Sequence, residues 1–180
     1  EGKNVRQAAT AVLLIAAWVT VSAQVVPVGQ EPHHRIVYED ASLRVLDVNI
    51  PPGTTTLDHS HDHDLVTVSI GQADTRIRVP GSDWGPVRPR RPLGDTSTVE
   101  YAGKRGVHTI ENVGPDSYRL IAVENVKQSG WHAAPAVASS AVRQLTEGRA
   151  FRASSVRVKP GEAVERSLGD EARPRGVYED

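Results

Sequence analysis

An all-β fold, an antiparallel sandwich or barrel, is predicted by three observations. Short apolar-alternating runs recur through the middle of this 180-residue chain. Glycine and proline clusters separate them, and almost no sustained helical period intervenes. The runs are also short enough, and closely enough spaced, to stack as paired strands rather than alternate with helices.

Taken in order, the first 28 residues stand apart. Lys3 and Arg6 precede an apolar run from Ala8 to Val21, and Val21-Ser22-Ala23 supplies small residues at a cleavage spacing. That layout predicts a secretory signal over 1–23. The run is shorter than the roughly 20 residues a membrane span needs. Export to a periplasm or the extracellular space is therefore expected, with no stable membrane span after signal removal.

The strands follow. Leu43–Ile50 is rich in β-branched residues, broadly alternates and is stopped by Pro51-Pro52-Gly53. In the run from Leu65 to Ile70, Val66, Val68 and Ile70 share one parity, which predicts that they form the buried face. Thr75–Val79 alternates cleanly before Pro80-Gly81. Val107–Asn112 and Tyr118–Val126 flank Gly114-Pro115-Asp116-Ser117, a turn signal.

Between the first two strands lies the densest chemistry, Gly53-Thr54-Thr55-Thr56-Leu57-Asp58-His59-Ser60-His61-Asp62-His63-Asp64. Residues i and i+2 of an extended strand share a face, so His59 and His61 can aim two imidazoles at one point, as a borderline transition metal requires. A solvated polar loop is the bland alternative for any one histidine, but four of the chain's seven (His59, His61, His63, His108) stand in patterned contexts.

These residues resemble the first motif of the cupin barrels: a glycine, five residues, His-x-His, three or four residues, an acid, six residues and a glycine. Here Gly53, His59, His61, Asp64 and Gly71 fill the pattern, with Asp in place of Glu and one residue fewer before it. A second, weaker motif appears at His108-Thr109-Ile110-Glu111-Asn112, a His-x3-Asn after Gly106, lacking the family's proline. The similarity spans about Arg35 to Val126. It implies a double-stranded β-helix, or jelly roll, holding one divalent transition metal (Mn, Fe, Ni, Co, Cu or Zn) on His59, His61, Asp64 and His108. Asp64 shares parity with Val66, so it can join the two histidines only if the chain bulges near Asp62. A competing register uses His63 in place of the acid.

An internal repeat at an offset of 108 carries Glu39, Arg44, Val48, Pro52 and Gly53 onto Glu147, Arg152, Val156, Pro160 and Gly161. Ser167 and Gly169 replace the histidines there. The expected organisation is a barrel over 33–128, a linker over 129–140 rich in Ala, Ser and Pro, and a metal-free partial cupin-like repeat over 141–180. Convergent strand-turn composition is the alternative. Trp131 and His132 read as packing, and His33 and His34 as surface residues.

Composition narrows the rest. Net charge is −1 and no basic stripe is present, so no nucleic-acid partner is expected. Cysteine is absent. Arg88, Arg90 and Arg91 cluster between prolines, either as a stiff exposed loop or as an anion site. Glu100, Tyr101, Glu111 and Glu124 are candidates for an acid or base inside the barrel. The resemblance leads to an exported metalloprotein acting on a small oxygenated molecule, of dioxygenase or isomerase type. A non-catalytic ligand-binding or sensing barrel is the other reading, and a homodimer is compatible with both.

Overall fold

The computed structural model describes residues 24–127 and 140–163. The expected signal segment, nearly all of the linker and the chain after 163 lie outside them. Eleven strands form: β1 (Val26–Pro27), β2 (His34–Glu39), β3 (Leu43–Ile50), β4 (His59–His61), β5 (Leu65–Ser69), β6 (Thr75–Arg78), β7 (Thr96–Val99), β8 (Gly106–Asn112), β9 (Tyr118–Asn125), β10 (Val142–Glu147) and β11 (Arg152–Val156). A single 3-10 turn, Val28–Gln30, follows β1. No helix among the described residues is long and apolar enough to cross a membrane.

A five-stranded sheet has the order β2-β3-β9-β5-β7, and a four-stranded sheet the order β1-β4-β8-β6. Successive strands switch between the sheets: β3 lies in the first, β4 in the second, β5 in the first and β6 in the second. That alternation makes a jelly roll. The core lies between the sheets and contains Val28, Leu46, Val48, Ile50, Ile110, Leu120 and Ala122. Leu46 and Ile50 are wholly buried, and each contributes about 1.5–3 kcal/mol relative to exposure. Residues 24–31, ahead of the expected start at 33, also join the barrel: Val26 pairs with His59 in parallel, and Val28 enters the core.

Pro51 and Pro52 end β3, and Gly53 turns the chain at φ +68°, a region costly for side-chain-bearing residues. The chain then runs back along β8, with Thr56 N donating to Ile110 O at 2.9 Å. The asparagine of the second motif is structural. Asn112 Nδ2 donates to Ile50 O at 2.9 Å and Asp116 O at 2.7 Å, and its Oδ1 accepts from Gly114 N. It clamps the turn between β8 and β9.

The expected inward face of β5 is reversed. Leu65, Thr67 and Ser69 stand opposite Glu124, Ala122 and Leu120, and opposed residues share a face. Val66, Val68 and Ile70 therefore face outward. Parity could not be carried from His61 to Asp64 because the chain leaves one sheet and enters the other between them.

The hairpin β10–β11 reproduces β2–β3 at the 108-residue offset. Glu39 faces Arg44 as Glu147 faces Arg152, and the ladders slip at Ile36/Tyr38 and at Gln144/Thr146. Each hairpin carries the matching ion pair, Arg44–Glu39 at 2.6 Å and Arg152–Glu147 at 2.7 Å. Gly53 and Gly161 both have positive φ.

Candidate metal centre

His59 and His61 extend from β4 into the interior, and β8 sets His108 directly opposite His59. A third contributor comes from β2. His34 pairs with Val48 and so shares its inward face. It is 5% exposed, which overturns the expectation that it is a surface residue. His33 alone remains outside, with Nδ1 against Asn49 O at 3.0 Å.

Ligand atoms of His34, His59 and His61 all lie within 4.8 Å of one another. The ring centroids of His34 and His59 are 4.6 Å apart, and those of His59 and His61 are 5.2 Å apart. The His108 ring lies 4.5 Å from His59 and 5.1 Å from His61.

Each of the first three rings is fixed through Nδ1. His34 meets Glu31 Oε2 at 2.5 Å, His59 meets Leu57 O at 2.9 Å, and His61 meets Glu124 Oε1 at 3.4 Å. A carbonyl oxygen can only accept, so Nδ1 of His59 carries the proton and Nε2 keeps a bare lone pair. That Nε2 is buried and has no hydrogen-bond partner among the described residues. Buried polar atoms are rarely left unpaired. A cation fits this gap.

Electrostatics agree. Burial, reinforced by His34, pushes His59 down to about 4. Burial and the neighbouring imidazoles push His108 down to about 2. Burial also holds His34 below its ordinary value, although Glu31 pulls the other way. These three rings are neutral at pH 7, the form that binds metal. Burial alone would raise the Glu124 carboxyl, but His61 and Arg44 outweigh it and keep it low.

Asp64 is not brought to the cluster. It lies on the outer side of the first sheet. Arg149 grips both its oxygens at 2.9 Å, and the Ala102 amide donates to Oδ1 at 2.7 Å. A buried acid that does lie beside the imidazoles is Glu124, wholly enclosed and bonded by Arg44 Nη1 at 3.0 Å. His63 sits half-buried at the crossing between sheets, and it is not among the three clustered histidines. Tyr101 stacks on His61 at 5.2 Å. Gly106 makes room for that ring, since a Cβ there would come within 2.1 Å of it. Glu100 is exposed, and Glu111 is bonded to Arg76.

One signal could have located a missed group: Glu124 shares parity with Leu120 and Ala122, the buried face of β9. His34 had no such signal, since the other residues of β2 are exposed.

The alternating two-sheet order decides the architecture. The fold is a jelly roll, the double-stranded β-helix that cupins share. No family model and no curated protein matches the chain. Solved structures do resemble it. A cupin domain from Bordetella pertussis is 19% identical over 51% of this chain and 90% of its own, with TM-score 0.43. A double-stranded β-helix protein from Klebsiella pneumoniae is 24% identical over 59% and 86%, with TM-score 0.41. The DMSP lyase DddQ from Ruegeria pomeroyi is 15% identical over 51% and 42%, with TM-score 0.36.

Proposed function

We propose that the barrel is an exported metalloprotein that binds one divalent transition metal through Nε2 of His34, His59 and His61, with His108 beside them as a fourth imidazole. The observation that carries this is the buried, partnerless Nε2 of His59, aimed among neutral imidazoles. Glu31 and Glu124 act as the outer carboxylates that orient such ligands. Bound there, the metal would polarise an oxygen of a small oxygenated substrate, the chemistry of a dioxygenase or isomerase. Tyr101 would add a hydrogen-bond donor at the rim of the cluster, because burial raises its phenol and keeps it protonated. The basic start, apolar run and Val21-Ser22-Ala23 support export.

One preparation tests the reading. Protein purified without chelators from the exported fraction of a bacterial host should carry close to one metal equivalent, with an intact mass beginning at Gln24. His34→Ala and His59→Ala should each lose most of the metal, whereas Asp64→Asn should keep it. Full metal in His59→Ala would remove the site, and a mass retaining residues 1–23 would remove export by cleavage. An electronic spectrum of the cobalt-loaded protein that no small oxygen ligand perturbs would favour a non-catalytic barrel.

A further inference from the structure

The segment around Arg88 is not a free loop. Arg88 N donates to Thr75 O at 2.6 Å, and Thr75 N donates back to Arg88 O at 3.0 Å. Arg90 N donates to Asp74 Oδ1 at 2.8 Å, and Gln72 Nε2 to Arg91 O at 3.2 Å. The segment therefore lies along the outer edge of β6 as an extra, one-bridge strand.

That bridge fixes where Arg88 points. Residues opposed across an antiparallel pair leave the sheet on the same face. Thr75 stands opposite Arg88 on one side and Asn112 on the other, and both Thr75 and Asn112 are buried. Asn112 shares strand parity with Ile110 and His108. Arg88 thus leaves the sheet on the face that carries His108, while the residue itself stays exposed to solvent.

Its charge reaches three groups on three different segments: His108 on β8, Tyr118 on β9 and Tyr101 in the loop before β8. The Arg88 guanidinium has no ion pair or side-chain hydrogen bond among the described residues. Arg91 turns inward, with Nη1 donating to Thr67 Oγ1 at 3.3 Å, but Asp95 answers its charge at 2.7 Å. Glu124 is likewise answered by Arg44. Arg88 is left as the uncompensated cation on the face of the imidazole cluster.

We propose that Arg88 selects an anionic ligand for this barrel: a small carboxylate whose other oxygens reach the imidazole cluster. The inference rests on the metal reading for the cluster end of the ligand, while the anion end stands on Arg88 alone. A guanidinium recognises a carboxylate through paired N–H donors, and neutral analogues forgo that contact.

Two titrations separate the ends. Metal-loaded protein is titrated calorimetrically with acetohydroxamate and with the monohydroxamates of malonic, succinic and glutaric acids. In the wild type the best-fitting carboxylated probe should bind about 10-fold tighter than acetohydroxamate. Arg88→Leu should abolish that advantage and leave acetohydroxamate binding and metal content unchanged. Arg88→Gln gives the same reading if the leucine variant fails to fold. Metal-stripped protein is then titrated with succinate, whose binding should also weaken in the variant. Arg88-dependent succinate binding by a wild type that takes up no metal when metal is offered would remove the metal reading and keep the anion site. Metal at one equivalent with no carboxylate advantage, or with an advantage that survives Arg88 replacement, would overturn the anion site alone.

Discussion

Glu31 reaches further than its 2% exposure suggests. Its carboxylate takes His34 Nδ1 at 2.5 Å, the His33 amide at 2.8 Å and the Leu57 amide at 3.3 Å. One side chain therefore sets the ring of His34 and anchors the stretch entering β4, two residues before His59. Glu31→Gln should weaken metal binding by about 10–100-fold, the usual cost of losing an outer carboxylate. Chelator competition measures this directly. A fall in melting temperature with unchanged metal affinity would make Glu31 purely structural. At this scale the sequence was legible where spacing is local: His59 and His61 are two apart on one strand, and His108 ends up directly opposite His59. His34 and Glu31 were not legible, because their nearness to the cluster depends on strand pairings that no local spacing encodes. Asp64 was misplaced for the same reason, since a residue just past a sheet crossing loses the parity of the strand before it.

Among the elements, the hairpin β10–β11 does for the outer face what the core does for the inner one. Gly148 lies against Thr98, where a Cβ would meet Oγ1 at 2.8 Å. Arg149 holds Asp64 with two bonds and also donates to Ala102 O at 3.2 Å. The Asp64 side chain is 7% exposed and that of Arg149 is 53% exposed, so solvent screens the pair but the acid cannot be left bare. Arg149→Ala should cost about 1–3 kcal/mol, chiefly by stranding a buried carboxylate. Asp64→Asn in the same background should recover part of that loss, because the stranded charge is gone. Urea unfolding of the single and double variants checks it, and additive effects would show that the two residues do not interact. The strands themselves were well forecast: Leu43–Ile50 matches its predicted run to the residue, and four others differ by a residue at one end. Alternation gave their positions but not their facing, since β5 has apolar residues on both sides once the hairpin covers the outer one.

For the whole molecule, the imidazole cluster makes the metal-free fold sensitive to acid. His59 has an ordinary value of 6.5 that burial and His34 push to about 4 in the folded chain. Between those two values the unfolded chain takes up a proton that the folded chain refuses, so stability falls as pH falls. The contribution is complete above about pH 6.5 and is lost by about pH 4. At pH 5 the cost is about 2 kcal/mol for such a group. His108, pushed lower still by burial and its neighbours, acts in the same direction and over a wider range. Glu124, held below its ordinary value against the pull of burial, adds a further loss at lower pH. The metal-free protein should therefore show a clearly lower urea midpoint at pH 5 than at pH 7, and His108→Gln should flatten the difference. Bound metal should oppose the loss near neutrality, because it binds the same lone pairs that protons seek. A metal-free midpoint unchanged from pH 7 to pH 5 would mean that the rings are solvated and protonate freely in the folded chain. In that case the cluster would lack the buried, neutral character on which metal binding depends.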